Sequence, residues 1–200
     1  GEVSRTLWGP GHIEEHLGHL RLRVSAHSFL QPNTLAAAGL YGAISRLGGF
    51  TGRETVWDLY CGAGSIGLFL ASEVHRVVGF ELEERAVTDA IANSRQNGLS
   101  NCQFLAGDLK ERLRETMRTG AHPLPEVVIT DPPRAGMHPE VVKALLELSP
   151  RRLIYVSCNP ATLARDLGRL KDHYEVTAIQ PFDLFPHTPH IEVVVRLEKR

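Results

Sequence analysis

Cys158 is the residue whose type and position are best suited to nucleophilic chemistry. It lies after an apolar run, Leu153–Val156, that predicts a buried strand, and before Asn159-Pro160, which suit the N-cap and first position of a helix. Ligands of open α/β sheets bind at such strand-to-helix edges. The positive helix end favours a thiolate, which is the nucleophilic form of cysteine. An inert buried cysteine is the alternative, and Cys158 alone does not decide between the two.

The elements that must position Cys158 are predicted by a regular alternation of apolar and helical segments. Such alternation predicts a parallel sheet with helices on both faces. The last two strands have no helix between them and predict an antiparallel C-terminal pair, so the predicted class is α/β with a mostly parallel sheet. Strands are predicted at 56–60, 76–81, 102–105, 127–130, 153–156, 176–179 and 191–197, and helices at about 34–46, 65–71, 83–97, 110–118, 139–148 and 160–171.

The first twenty residues give few structural signals, although three histidines stand out. His12, His16 and His19 have the spacing of one helical face. Flanking glycines and the lack of acidic or thiol partners argue against a metal site there. Leu20–Val24 alternates apolar and basic residues and predicts a strand with one exposed face.

Composition limits the classes of function. A chain of 200 residues with 42% apolar content buries one core, and a net charge of −1 does not indicate a strongly basic nucleic-acid surface. Three cysteines make neither a disulfide framework nor a four-thiolate cluster, so a reducing compartment, the cytoplasm, is expected. No signal peptide or long apolar span is visible, and no membrane or metal is expected. The first residue is Gly1, which predicts a processed or excised fragment.

A second chemical signal is the glycine-rich segment Asp58–Gly67, between the first strand and its helix. Glycines let a ligand approach the backbone and expose amide groups. Glu81 ends the next strand about twenty residues later, where a carboxylate holds a ribose diol in nucleotide-binding sheets. Asp108 ends the third strand in the same way. No Gly-Lys-Ser/Thr follows, so the segment is not a P-loop, and a tight turn without a ligand remains an alternative.

Asp58-Leu59-Tyr60-Cys61-Gly62-Ala63-Gly64 resembles motif I of class I S-adenosylmethionine-dependent methyltransferases. The resemblance implies their Rossmann-like fold and S-adenosylmethionine as cofactor, with S-adenosylhomocysteine as product. It also implies that Glu81 holds the ribose and that Asp108 lies beside the adenine. An NAD-dependent dehydrogenase is the competing interpretation of the same glycines.

Three further segments resemble the RNA (uracil-5-)-methyltransferase family, within a resemblance that runs from about residue 20 to residue 197. They are Asp131-Pro132-Pro133-Arg134, Ser157–Asp166, and Phe185–Glu192 with its Phe-Pro-His-Thr start; Phe29–Asn33 looks like the family's Phe-x-Gln-x-Asn element. The resemblance implies that Cys158 adds to C6 of a uracil and that Glu192 removes the C5 proton. The implied pocket residues are Gln31, Tyr60, Ser65, Glu81, Asp108 and Asp131. Ser65 stands where the ribosomal RNA branch has asparagine.

The amino-acid sequence around Cys158 and before Glu192 is more similar to the 23S ribosomal RNA branch of the family than to the tRNA branch. The resemblance therefore implies an RNA substrate, with 23S rRNA favoured over tRNA, and a monomeric catalytic domain. The predicted division is an N-terminal extension at 1–34, with a short strand and a link, and the catalytic domain at 35–200. Full-length members of the family carry an RNA-binding barrel domain, and many carry an iron–sulfur segment. Neither is visible in this sequence.

Further alternatives stay open. Asp131-Pro132-Pro133 is also typical of N-methyltransferases, which act without a cysteine nucleophile. A fragment that binds cofactor or RNA without turnover is the non-enzymatic alternative. Taken by pattern alone, Glu192 is the exposed residue of an alternating strand, and His187 and His190 make loop contacts rather than bind a metal.

Overall fold

A seven-stranded sheet flanked by helices follows a short N-terminal hairpin in the computed structural model, which describes residues 6–200. The strands are β1 (His12–Leu17), β2 (Leu20–Ser25), β3 (Thr55–Leu59), β4 (Arg76–Glu81), β5 (Cys102–Ala106), β6 (Val127–Thr130), β7 (Arg152–Ser157), β8 (Tyr174–Phe182) and β9 (Glu192–Lys199). The helices are α1 (Thr34–Gly48), α2 (Ser65–Leu70), α3 (Glu84–Gln96), α4 (Leu109–Thr119), α5 (Pro139–Leu148) and α6 (Pro160–Leu170).

The sheet has the order β5-β4-β3-β6-β7-β9-β8. Strands β3 to β7 are mutually parallel, whereas β9 runs antiparallel to both β7 and β8. The predicted α/β class, with its antiparallel C-terminal pair, is therefore confirmed. The strand order reverses between β3 and β6, and ligands bind at the carboxyl ends of strands beside such a switch point.

The central strands are buried on both faces, because helices cover the sheet on each side. Every residue of β3, β6 and β7 is buried. One core layer contains α1 and α2 with residues such as Leu40 and Ile129, and the other contains α5 and α6 with residues such as Trp57 and Tyr155. Burial on both faces explains why these strands are continuous apolar runs in the sequence.

The N-terminal prediction needs one correction, since His12–Leu17 forms strand β1 and not part of a helix. A two-residue turn, Gly18-His19, joins β1 to β2, and Gly18 has φ +59°. Glycine at the first central position is typical of a type II′ hairpin turn. The histidines at 12 and 16 therefore lie on a strand and the one at 19 in a turn, so the prediction of one helical face is wrong.

Three side chains, two on α3 and one at its C-cap, are spaced four residues apart and take the place of a third strand beside β2. Asn97 accepts a hydrogen bond from the Arg21 N–H at 3.0 Å and donates to the Arg21 carbonyl at 2.8 Å. Asn93 accepts from the Arg23 N–H at 2.7 Å and donates to its carbonyl at 3.0 Å. Asp89 accepts from the backbone N–H of Ser25 at 3.0 Å. This side-chain ladder fixes the hairpin on the main sheet domain.

We expect Asn93→Ala to lower the free energy of unfolding by about 2–3 kcal/mol, because it leaves partly buried backbone groups of Arg23 and the Ala63 carbonyl without their partner. Asn93 has no exposed surface and also donates to the Ala63 carbonyl at 3.2 Å. Urea unfolding gives the free energy, and amide hydrogen exchange at Arg23 reports the local opening. Asn97→Ala is the matched control, since Arg21 is exposed and water replaces the lost bonds. Equal losses in the two variants would contradict the prediction.

The hairpin shares its core with the rest of the chain, since Leu17, Leu20 and Leu22 pack in the same layer as α1. The division between residues 34 and 35 stays a prediction. The part of it that covers residues 1–5 lies outside the described residues.

Candidate active site

A pocket of about 520 Å³ lies at the carboxyl ends of the parallel strands. Seven of the eight site residues predicted from the sequence line it, and Asp108 does not. The seven are Gln31, Tyr60, Ser65, Glu81, Asp131, Cys158 and Glu192; Phe29, Leu30, Tyr41, Arg134, Phe185 and His190 also line the pocket.

The turn between β3 and α2 exposes its backbone to this pocket. Tyr60, Gly62 and Gly64 have φ values of +62°, +54° and +81°. A Cβ at Gly64 would lie 2.9 Å from Phe104, so glycine is required there for space as well as for conformation. Tyr60 holds a left-handed conformation at a cost of about 1 kcal/mol, which is typical of functional positions.

Glu81 is oriented by the same turn. One carboxylate oxygen accepts from the Gly62 N–H at 2.9 Å, and the other accepts from the Glu83 N–H at 3.0 Å. Each oxygen keeps a second lone pair for a ligand. The carboxylate is therefore fixed beside the glycine turn, as a group that holds a diol must be.

Cys158 and Glu192 lie together because β7 and β9 are neighbours. Ser157 pairs with Val193, so Cys158 and Glu192 occupy the next positions at the same end of the two strands. Glu192 is only 4% exposed, and its Oε2 has no hydrogen-bond partner among residues 6–200. The expectation of an exposed glutamate is therefore wrong.

Burial dominates the electrostatics of the pocket. It raises the pKa of Asp131 to about 6 and that of Asp58 to about 7. Burial, with the added charge of Asp131, raises the pKa of Glu192 to about 7. The pKa of the Cys158 thiol is also raised, by burial and then by Glu192 and Asp131, against the opposing charge of Arg134. The helix terminus was predicted to favour the thiolate, but the net shift of the Cys158 pKa favours the thiol, so this prediction is wrong.

The loop that follows β6 is tied to α6 by side-chain hydrogen bonds. Asn159, the N-cap of α6, donates to the Arg134 carbonyl at 3.1 Å. Asp166 is fully buried and accepts from the Met137 N–H at 2.8 Å. The two segments that carry Asp131 and the candidate nucleophile are therefore held in a fixed relation.

Asp108 does not line the pocket. It is the N-cap of α4, accepts from the Lys110 N–H at 3.0 Å, and pairs with the Lys110 ammonium at 3.0 Å. Its charge acts on Tyr60 of the pocket, and its place beside an adenine stays a prediction.

Sequence reasoning missed several pocket residues. Tyr41 lies in the middle of an Ala-rich helix, and its hydroxyl is 2.8 Å from the Ser65 hydroxyl. Asp58 does not line the pocket, but it lies under the glycine turn, where it accepts from the Gly67 N–H at 3.0 Å and its Oδ1 is buried without a partner among the described residues. A tyrosine within a helical pattern does not by itself indicate a functional site. A charged residue inside the buried strand 55–59 does, because a buried charge is costly and is kept only where it has a purpose or a partner.

Over residues 6–200, no three His, Cys, Asp or Glu side chains are arranged to hold a metal ion. Among the helices of that range, none has the length and apolar character needed to cross a bilayer.

Comparison with known proteins identifies the family. A model of the tRNA (uracil-5-)-methyltransferase family matches residues 13–200. The chain belongs to this family. An uncharacterized RNA methyltransferase from Nitratidesulfovibrio vulgaris is 48% identical over 189 residues, which are 94% of this chain and 40% of that protein. A second uncharacterized RNA methyltransferase, from Chlorobaculum tepidum, is 46% identical over 202 residues, 100% of this chain and 41% of that protein. This family member thus spans about 40% of the length of these relatives.

Solved structures agree with the family assignment and with the class I methyltransferase fold. The tRNA (uracil-54, C5)-methyltransferase of Pyrococcus abyssi, solved in complex with S-adenosyl-L-homocysteine, superposes with a TM-score of 0.81 at 36% identity. The superposition covers 95% of this chain and 45% of that one. The tRNA m1G37 methyltransferase of M. jannaschii has a TM-score of 0.67 at 12% identity over 95% of this chain and 57% of that one, which shows the shared fold alone.

Proposed function

We propose that this chain methylates C5 of a uridine in RNA, with S-adenosylmethionine as methyl donor and a covalent bond between Cys158 and C6 of the uracil. The observation that carries the proposal is the convergence of Cys158, Glu192 and Asp131 on one pocket that is also lined by the glycine turn. A nucleophile and a base beside a cofactor turn are the groups that this reaction needs.

The pocket fits the proposed cofactor. The glycine turn supplies close backbone approach, Glu81 supplies a fixed carboxylate, and the Oε1 of Gln31 is buried without a partner among the described residues. Gln31, Tyr60, Ser65 and Glu81 would hold the cofactor. When bound, S-adenosylmethionine supplies an electrophilic methyl group that C5 takes up.

The chain's own residues carry out the other steps. The Cys158 thiolate forms a bond to C6, and the electron pair of the C5–C6 double bond moves onto the C4 carbonyl, which makes C5 nucleophilic. After methylation Glu192 takes the C5 proton, the double bond forms again, and the thiolate leaves C6. Asp131 faces the polar edge of the uracil, which must leave its stack to reach the pocket.

The RNA is proposed to be 23S rRNA, on the similarity of the segments around Cys158 and before Glu192 to that branch. The Pyrococcus abyssi relative is a tRNA enzyme by name, so the two RNAs are direct competitors in a test. Unmodified 23S rRNA and unmodified tRNA are incubated with the chain and labelled cofactor. Faster transfer to tRNA would overturn the preference but not the chemistry. A monomer in the cytoplasm also remains a proposal on sequence grounds.

The reaction is tested by intact-mass analysis after incubation with S-adenosylmethionine and RNA that contains 5-fluorouracil. Fluorine at C5 cannot leave as a proton, so the covalent complex accumulates. We expect a mass increase equal to the methylated RNA, and peptide mapping to the segment with Cys158. No complex, with methyl transfer to ordinary RNA intact, would favour the N-methyltransferase that uses Asp131-Pro132-Pro133. No complex and no transfer, with cofactor bound, would favour a binding fragment.

We expect the release of methylated RNA to speed up about tenfold between pH 6 and pH 8, because release needs an ionised base to take the C5 proton and a group with a pKa near 7 changes its ionised fraction by that factor. The pKa of Glu192 is raised to about 7. The decay of the covalent protein–RNA complex after a single methyl transfer, followed at saturating cofactor, measures the profile. A release rate that is flat from pH 6 to pH 8 would rule out Glu192 as the base.

A further inference from the structure

Tyr41 and Ser65 form a buried hydroxyl pair at the wall of the pocket. Tyr41 is 3% exposed and Ser65 is 8% exposed, and their oxygens are 2.8 Å apart. The ring of Tyr41 packs edge-on against Phe69, with centroids 5.7 Å apart. Phe69 lies on α2 one turn after Ser65, so Tyr41 is held by the same helix at both its ring and its hydroxyl.

The pair has one hydrogen-bond donor that its mutual hydrogen bond does not use. Two hydroxyl groups carry two protons, and their mutual bond uses one of them. No other hydrogen bond of either hydroxyl is present among residues 6–200. Within residues 6–200, one O–H group therefore has no acceptor, and both residues line the pocket. A buried donor without an acceptor is costly, and a bound ligand is its natural partner.

The position of Ser65 indicates which ligand group this is. Ser65 directly follows the glycine turn, whereas the residues proposed for the uracil come from the ends of β6, β7 and β9. Glu81 is an acceptor and takes the ribose hydroxyls. The strongest acceptor left on the cofactor is the carboxylate of its amino-acid end, since bonds to ionised groups are about twice as strong as neutral ones.

Burial and the acidic groups around Tyr41 keep its hydroxyl neutral and able to donate. Asp58, Asp131 and Glu192 all act electrostatically on Tyr41, and with burial they raise its pKa well above its usual value. The tyrosine thus keeps its proton over the whole physiological range. A hydroxyl pair can receive an anion in this acidic pocket, whereas another ionised acid would repel it.

We propose that Tyr41 is a positioning residue for cofactor binding, whose hydroxyl orients the Ser65 hydroxyl so that the pair donates to the carboxylate of S-adenosylmethionine. The inference rests on the proposed function, since it assumes that this pocket holds the cofactor. It assigns the contact to two hydroxyls, one from α1 and one from α2.

Calorimetric titration with two ligands tests this role. S-adenosylhomocysteine carries the amino-acid end, and 5′-methylthioadenosine lacks it. We expect Tyr41→Phe and Ser65→Ala each to weaken S-adenosylhomocysteine about tenfold and to change 5′-methylthioadenosine less than twofold. In the double variant the loss is expected to stay near tenfold, because Tyr41 acts through Ser65.

Tyr174→Phe is the matched control. Tyr174 is buried and its hydroxyl donates to the Pro150 carbonyl at 2.9 Å, outside the pocket. It should lower the melting temperature without changing either affinity. Equal losses for both ligands in Tyr41→Phe, or a double variant near a hundredfold, would overturn the inference and leave the proposed function standing. A wild-type chain that does not bind S-adenosylhomocysteine would overturn the proposed function itself.

Discussion

Glu192→Gln is expected to stop the release of methylated RNA and to leave a covalent protein–RNA complex on ordinary uridine. Glutamine cannot take the C5 proton, so the adduct forms, accepts the methyl group and then persists. General base catalysis contributes about 10²–10⁴-fold, and we expect turnover to fall by about 10³-fold. Denaturing gels with labelled RNA measure the complex, and labelled cofactor measures turnover.

Glu175→Gln is the control for this change, because Glu175 lies exposed on the neighbouring strand β8. It should leave turnover unchanged and give no complex. If Glu192→Gln shows neither turnover nor a covalent complex, Glu192 is needed before the covalent bond to the uracil forms. That result would contradict its role as the base that removes the C5 proton.

The same variant should be more stable than the wild type at alkaline pH. A pKa raised from 4.5 to about 7 means that the native state binds more protons than the unfolded state between these values. Stability therefore falls as pH rises through this window, and the full cost is present above pH 7. We expect Glu192→Gln to gain about 2 kcal/mol at pH 8, with the gain shrinking as the pH falls and vanishing below about pH 4.

Cys158→Ala is expected to lower the rate of methyl transfer by at least about 10⁴-fold, because the loss of the nucleophile removes the covalent pathway. It should also abolish the complex with 5-fluorouracil RNA while cofactor affinity stays within twofold. Cofactor affinity is measured by calorimetry and transfer with labelled cofactor.

Cys102→Ala provides the matched cysteine control. Cys102 is partly buried on the edge strand β5 and does not line the pocket, so transfer should be unchanged. Residual transfer above about a tenth of the wild-type rate in Cys158→Ala would overturn the covalent mechanism and favour direct N-methylation.

The sheet could be predicted from sequence because its strands are buried on both faces. Strands 76–81 and 127–130 and the helix 139–148 coincide with β4, β6 and α5. Strand β1 was missed because its residues are mainly polar and show no clean alternation of burial. Gly18-His19 was the signal that could have revealed it, as a two-residue turn with glycine first.

The candidate site was predictable where a segment carries its own chemistry, as at Cys158 and Glu81. The sign of the thiol's pKa shift was not predictable, because it depends first on burial and then on Glu192 and Asp131, which are 34 and 27 residues away in the sequence and meet Cys158 only through the order of the strands. Tyr41 was missed for the same reason, since its partner Ser65 lies on another helix.

The raised pKa of the Cys158 thiol has a consequence for oxidation. Peroxides and alkylating agents react with thiolates, and susceptibility follows thiolate character and exposure. Burial, with the charges of Glu192 and Asp131, disfavours the thiolate of Cys158. We therefore expect Cys158 to react more slowly with peroxides and alkylating agents than an ordinary exposed cysteine when no RNA is bound, and we expect the proposed nucleophile to be protected in this way from inactivation.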